Sequence, residues 1–352
     1  MTALDTRDVS YQVRVLKNGV EAGEILWQQK NAPTVMWDKD GQIKSSFVGQ
    51  FYPPAAADLL TDELKPYAII NGTEYPLGVF RAATLSRVNT SYGSMLSIEA
   101  YDRCWKLQSK RTESIIHLAA GTLYTAAIDQ LLTECGISLR LVTPSTAALS
   151  TDREDWEIGT DYLTIVNQLL SEIAYNELWF DVDGVARVEP YLEVSKRTLT
   201  HKYGEKGLGI YNPVVGDSSV ETDLFSKPNV FICVCSNPEL AEPMVAVSEN
   251  DNPASVTSIF RRGMRIAQRY QVENTASQAE LQAYADKLRL ESMFSTETLS
   301  FETLAEGGHG LGDSLSIDDR RLGGIYEETA WSITMMAGEL MKHTAKRELS
   351  SI

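Results

Sequence analysis

Three kinds of residue in this chain could do chemistry: four histidines, a large excess of carboxylates, and four cysteines. The histidines are His117, His201, His309 and His343. None stands in a His-Glu-x-x-His pattern or a related spacing that would aim two imidazoles at one ion, so spacing along the chain offers no metal site. The one local grouping of imidazole and acid is His309 with Glu306 and Asp313, in the run Glu306-Gly307-Gly308-His309-Gly310-Leu311-Gly312-Asp313. A turn that must reach unusual backbone angles explains those glycines without catalysis. Neighbouring carboxylates such as Asp152, Glu154 and Asp155, or Asp318 and Asp319, read as solvated faces of an acidic chain rather than as an acid/base pair. Glycoside hydrolysis stays open, because its two carboxylates need not be close in sequence, but nothing points to it. There is no Gly-x-Ser-x-Gly and no phosphate loop ending in Lys-Ser/Thr. The glycine-rich stretch Gly204 to Gly209 has neither a clear strand before it nor a helix after it. No catalytic, cofactor-binding or metal-ligating residue is assigned, and no cofactor is expected.

Cys104 and Cys135 stand apart, and Cys233 and Cys235 form a lone Cys-Val-Cys in a strand-like run, where both side chains share one face. This is no disulfide framework for 352 residues, and buried, inert thiols are the expectation. A formal net charge of −16 argues against tight nucleic-acid binding through phosphates, which needs basic surface. Like charge on a lumen wall would instead let nucleic acid slide past without sticking. An apolar fraction of 43% and a charged fraction of 23% are those of a soluble globular protein. No apolar run is long enough to span a bilayer, and the amino terminus shows no basic-then-apolar signal, so we expect no membrane insertion and synthesis in the cytoplasm.

The elements that would position these residues centre on a stretch present twice. Gly121 to Ile137 and Gly159 to Tyr175 match at Gly121/Gly159, Thr122/Thr160, Tyr124/Tyr162, Gln130/Gln168, Leu131/Leu169, Leu132/Leu170 and Glu134/Glu172. Each begins with a Gly-Thr pair whose hydroxyl is expected to cap a helix, and each carries an apolar helical stripe. Two such stripes are expected to pack on each other or on a shared sheet. Before them, Ser10 to Tyr101 reads as short strands with turns at Asn18-Gly19, Asp38 to Gly41, Asn71-Gly72 and near Tyr92-Gly93, the pattern of an all-β barrel or sandwich. After the second copy, Trp179 to Val188 reads as a hairpin turning at Asp183-Gly184. Strand signals resume beyond Arg197, with a strong strand from Asn229 to Cys235 and a third helix from Thr275 to Glu291, capped by Thr275 or Ser277. Arg261, Arg262, Arg265 and Arg269 form a basic cluster that either meets an acidic partner or pairs with nearby carboxylates.

The order of these features resembles the hub proteins of phage tails and of phage-tail-like contractile particles. The resemblance rests on the strand Leu96 to Asp102 ending in Tyr101-Asp102, the Gly-Thr-led helix and its echo, and the Trp179-Phe180-Asp181-Val182-Asp183-Gly184 hairpin. It rests also on the helix Ala279 to Leu290 that leads into a strand and then into Leu311-Gly312-Asp313-Ser314-Leu315. It implies an α+β, β-rich fold with two tube-type β-barrel domains flanking a small α+β module that contains the duplicated helix. Residues 1–108 would be the first barrel, 109–196 the module, and 197–352 the second barrel with an embedded helix at about 275–291.

By the same resemblance the protein is a non-enzymatic structural hub. It would form a homotrimeric, pseudo-sixfold ring that joins a sixfold tail tube to a threefold spike. The implied partners are the tail tube or distal tail protein, a spike or tip protein, and a tape-measure protein in the lumen. The implied location is a virion or tail-like particle assembled in the host cytoplasm. Longer members carry a large carboxy-terminal extension, so peptidase, sugar-degrading or receptor-binding functions are expected on separate chains. Two other classes stay open: a cell-wall glycan hydrolase, and a carbohydrate-binding module stacking sugars on Trp27, Trp37 or Trp105.

Overall fold

The computed structural model describes residues 7–54, 57–90, 93–204, 212–223, 225–236, 242–319 and 322–349. Asn18 and Gly19 take φ of 52° and 79°, the left-handed pair that a two-residue hairpin turn requires. They join β1 (Val9–Lys17) to β2 (Val20–Glu24), and Asn71-Gly72, at 50° and 80°, does the same for β5 (Glu63–Ile70) and β6 (Thr73–Pro76). With β3 (Thr34–Asp38), β4 (Ser45–Phe51), β7 (Phe80–Thr90) and β8 (Gly93–Tyr101) they form a first β unit. Its strands run in the order β3-β4-β8-β7-β5-β1-β2, with β6 on β5. Side chains from one face of β1, β3, β4, β7 and β8 meet in one core, which holds Val13, Val35, Phe47, Phe51, Phe80 and Ile98. Asp102 ends the unit. Its buried carboxylate accepts hydrogen bonds from the Ser45 amide and hydroxyl on β4 and from the Cys104 amide that opens α1 (Cys104–Ser109). Burial raises its pKa.

The duplicated stretch forms α2 (Tyr124–Glu134) and α3 (Tyr162–Glu172), which share one core with Cys104, Leu107 and Phe180. The expected threonine caps are absent, because the helices start two residues later. Leu123 is the N-cap of α2 and caps with no side chain, whereas Asp161 accepts the Thr164 amide at 2.8 Å at the head of α3. The Gly-Thr pairs serve a turn instead, Gly121 and Gly159 having φ of 83° and 93°.

The approach to each helix is held in the same way. The Tyr124 amide donates to the Ala147 carbonyl at 3.2 Å, and the Tyr162 amide to that of Lys110 at 3.2 Å. Leu149 donates to Thr122 at 2.9 Å, and Thr112 to Thr160 at 2.9 Å. The segment before each helix therefore clasps the start of the other. β9 (Arg140–Val142), β10 (Trp179–Phe180) and β11 (Ala186–Val188) complete the module as a sheet in the order β10-β11-β9.

Beyond it come β12 (Leu199–Gly204), β13 (Val214–Thr222), β14 (Val230–Cys235), β15 (Met244–Glu249), the short α4 (Ile259–Arg262), β16 (Ala267–Val272) and α5 (Gln278–Phe294). Ser277 caps α5, accepting the Glu280 amide at 3.2 Å. The last strands are β17 (Glu297–Thr303), β18 (Ser314–Asp318), β19 (Gly323–Thr334) and β20 (Met341–Arg347). β14, expected inside a second barrel, lies outside the main sheet. Both its edges are taken, by β15 and by β16, and its buried Cys233 and Cys235 pack with Leu281 and Ala285 of α5. The other strands after the module extend the first β unit. β3 pairs β19, and the resulting fourteen-stranded sheet follows the path β13-β17-β20-β19-β3-β4-β8-β7-β5-β1-β2. β18 lies beside β19, with β12 parallel to it. Of the glycine-rich Gly204 to Gly209, only Gly204 is among the described residues, and Tyr92 of the β7–β8 turn also lies outside them.

Candidate functional site

Three of the four histidines converge. His201 on β12, His309 on the glycine-rich turn after β17 and His343 on β20 are all buried. The His201 and His309 rings are stacked, centroids 3.7 Å apart and planes 2° from parallel, and His343 lies 5.2 Å from His309. Glu328 of β19 joins two of them, its carboxylate lying 2.7 Å from His309 Nδ1 and 2.5 Å from His343 Nδ1. An ionised carboxylate only accepts, so both Nδ1 atoms carry the proton. That leaves His309 Nε2 to accept from the Tyr203 hydroxyl at 3.0 Å. Glu306 and Asp313 complete the group, lying 3.5 Å from His201 Nδ1 and Nε2 respectively.

The strand geometry that aims these groups is local. A bulge between Glu328 and Ala330 interrupts the β19 ladder, so consecutive residues from Tyr326 to Thr329 are all buried. Glu327 turns to Lys39 and Arg197, 2.6 Å from each, while Glu328 turns to the histidines. Burial opposes the charge on Glu328, yet His309 and His343 hold its pKa down at about 2. Glu306 is likewise held at about 2 against burial, by His201 and Asn212. His201 is pushed up to about 10, its burial outweighed by Asp313 and Glu306. Burial lowers His343 and raises Tyr203.

The grouping of Glu306, His309 and Asp313 visible in the chain is thus half of a larger cluster. Sequence reasoning named His201 and His343 without joining them to His309, and it missed Glu328, whose only mark is the pair Glu327-Glu328 in a run of buried strand residues. The fourth histidine, His117, is exposed and lies 2.7 Å from Asp155.

Other residues singled out in the sequence lie outside this cluster. Trp37 is buried and its indole donates to the Leu77 carbonyl, while Trp27 is half-buried edge-on to Phe51, and Trp105 is half-buried. All four cysteines are buried, and none forms a disulfide. In the basic cluster Arg265 pairs with Glu249, Arg262 donates to the Lys227 carbonyl, and Arg269 to Gln271. A cavity of about 1030 Å³ lies where the module, α5 and the main sheet meet. Four of its lysines are bonded: Lys39 to Glu327, Lys44 to Glu177, Lys346 to Asp40, and the buried Lys287 to the Tyr175 carbonyl at 2.6 Å. Close by, buried Arg153 bridges Glu172 and Glu273, and burial lifts Glu172 to about 7 against the pull of Arg153.

No protein-family model matches the chain, and no curated protein is similar to it in sequence. Solved structures are similar in fold. A tail protein from Neisseria meningitidis MC58 matches with a TM-score of 0.67 at 14% identity, covering 96% of each chain. A 43 kDa tail protein of prophage MuSo2 from Shewanella oneidensis matches at 0.62 and 10% identity, over 96% of this chain and 98% of that one. This chain has the fold of phage tail proteins. The prophage tail protein gp18 from Listeria monocytogenes EGD-e matches at 0.55 and 14% identity, over 97% and 95%.

In the tail-protein fold of this chain both ends of the long sheet are exposed. Every residue of β2 is exposed, and so are the last seven of β13, Gly216 to Thr222. Each end presents unpaired backbone groups, which natural sheets either cover or use for pairing. Among the described residues no helix is long and apolar enough to cross a membrane.

Proposed function

We propose that this chain is a non-enzymatic structural hub of a phage tail or tail-like particle. It is built as residues 1–108, a first tube-type barrel; 109–196, the α+β module; and 197–352, a second barrel unit with α5 embedded. The observation that carries this reading is the β3–β19 pairing, which makes one continuous sheet of two β units in a single chain and leaves β2 and β13 exposed at its ends. The same kind of junction made between chains, β2 of one against β13 of the next, is heterologous and closes on itself when the rotation divides a full turn. Three chains then give six β units, a pseudo-sixfold ring able to sit on a sixfold tail tube or distal tail protein and to hold a threefold spike or tip protein. The lumen would pass a tape-measure protein, and the net charge of −16 would keep nucleic acid from adhering there. The place of work is the virion or tail-like particle, with assembly in the host cytoplasm and no membrane insertion. The clustered acids Glu306, Asp313 and Glu328 are engaged with histidines, which supports a structural rather than hydrolytic role.

The test is the mass of the purified chain by multi-angle light scattering, followed by images of the particles. A trimer or a stack of trimers, with ring-shaped views of near-sixfold outline, is expected. A monomer at all concentrations that degrades purified cell wall would replace this reading with the hydrolase, and a monomer that binds glycans with the carbohydrate-binding module.

A further inference from the structure

We propose that His201, His309 and Asp313 form a binding site for one first-row divalent transition-metal ion, with zinc the best match to two imidazoles and a carboxylate. The donor atoms of these three residues lie within 4.8 Å of one another. His201 Nε2 is buried with no hydrogen-bond partner, and the nearest acid, Asp313 Oδ2, stands 3.5 Å away. That separation is too long for a good hydrogen bond. It is close to the spacing, about 3.3 Å, of two ligands each about 2.0–2.1 Å from a tetrahedral ion.

His309 is prepared as a ligand. Its Nδ1–H is held by Glu328, the outer-shell arrangement that metal-binding histidines use; this fixes the tautomer and makes Nε2 the acceptor, whose present partner, the Tyr203 hydroxyl at 3.0 Å, an ion would displace. The second oxygen of Glu328 is held by His343, so this outer acid is itself anchored. The two stacked rings must tilt toward the ion for their lone pairs to meet it. Asn212 adds a further sign of an unfilled place. It donates to Glu306 beside His201, while its own buried Oδ1 finds no partner. Glu306 is placed to supply a fourth ligand, and its side chain and that of Asp313 are the partly exposed members of the group, which gives an ion a way in.

A second trio, His309, Glu328 and His343, also has the right spacing. It is set aside because Glu328 already holds an imidazole with each of its two oxygens. An ion at the first site would tie β12 to the Glu306–Asp313 turn. That turn also reaches the first β unit, where Gly307 lies against the Tyr75 ring.

The full chain, stripped with a chelator and dialysed, is titrated with Co²⁺ as an optical probe and with Zn²⁺ by calorimetry. We expect one ion per chain, visible d–d bands of a four-coordinate site, displacement of Co²⁺ by Zn²⁺, and a higher melting temperature with Zn²⁺ that a chelator reverses. His201→Ala should abolish stoichiometric binding. Asp313→Asn, which keeps an oxygen for the Gly310 amide, should weaken it by about 100-fold or more. Glu328→Gln, acting only through His309, should cost about 10–100-fold. His117→Ala should change nothing. The proposal fails if the wild-type chain takes up no stoichiometric ion. It fails equally if Asp313→Asn binds as wild type does, or if binding is lost only with His117. Should His201→Ala not fold, the wild-type stoichiometry and Asp313→Asn decide the matter.

Discussion

Trp37 and Trp331 are register partners in the β3–β19 pairing, their rings stacked with centroids 5.6 Å apart and planes 17° from parallel. Each indole N–H is satisfied, by the Leu77 carbonyl for Trp37 and by that of Gly310 for Trp331. The two β units of the chain thus meet through an aromatic pair that costs no buried, unpaired donor.

Trp331→Ala should therefore destabilise the protein by about 3–5 kcal/mol. Urea denaturation followed by circular dichroism measures the change. Combined with Trp37→Ala, the loss should fall short of the sum by about 0.5–1.5 kcal/mol, the part that belongs to the stacked pair. Strict additivity would remove the pair from the account of the junction.

Gly307 tests the turn. A Cβ there would lie 2.0 Å from the Tyr75 ring, so Gly307→Ala must push the turn off the first β unit at a cost of about 1–3 kcal/mol. In a Tyr75→Ala background the same substitution should cost much less. Equal costs in the two backgrounds, read from thermal melts, would mean that the ring is not what excludes the side chain.

The free edge of β13 can be read with proline. Val220 and Glu221 face Leu299 and Thr298 across an antiparallel ladder, in which the amides of successive residues point to opposite sides. Proline at the position whose amide points to β17 should destabilise the chain. At the other it should leave a folded monomer that no longer assembles. Light scattering and circular dichroism together separate these outcomes. Two folded variants of wild-type assembled mass would exclude β13 from the ring contact.

Glu172 makes a pH prediction. Its folded pKa of about 7 lies above the usual 4.5, so the folded state holds this proton more tightly than the unfolded one. Its contribution to stability is full below pH 4.5, falls as pH rises toward about 7, and is level above that. Glu172→Gln should flatten the stability profile over that window. A slope unchanged between pH 4.5 and 7 would show that another group sets it.

Much of the β1–β8 unit was legible because its turns are chemically specific. Asn18-Gly19 and Asn71-Gly72 can adopt paired left-handed angles cheaply, and the alternation on either side needs only local sequence. The helices were legible from their stripes, and Ser277 as the cap of α5, but not the caps of the duplicated pair, since Asp161 competes with Thr160 one residue away and takes the role at α3. The strand β14 was visible and its sheet was not, because pairing partners are set by packing on α5 rather than by anything in VFICVC. The histidine cluster was the least legible. His201, His309 and His343 meet only through the parallel β12–β18 pairing and the β19–β20 hairpin, and Glu328 reaches them through a bulge that no local pattern announces.

The crossed hydrogen bonds of the module bear on how it would come apart. Lys110 and Thr112 brace the helix of the later half, and Ala147 and Leu149 brace that of the earlier half, like two people each gripping the other's forearm. Each half loses its brace when the other's arm is removed, whereas a nick in the connector between Thr143 and Thr146 would leave both grips closed. The start of either helix is thus complete only once the other half is in place.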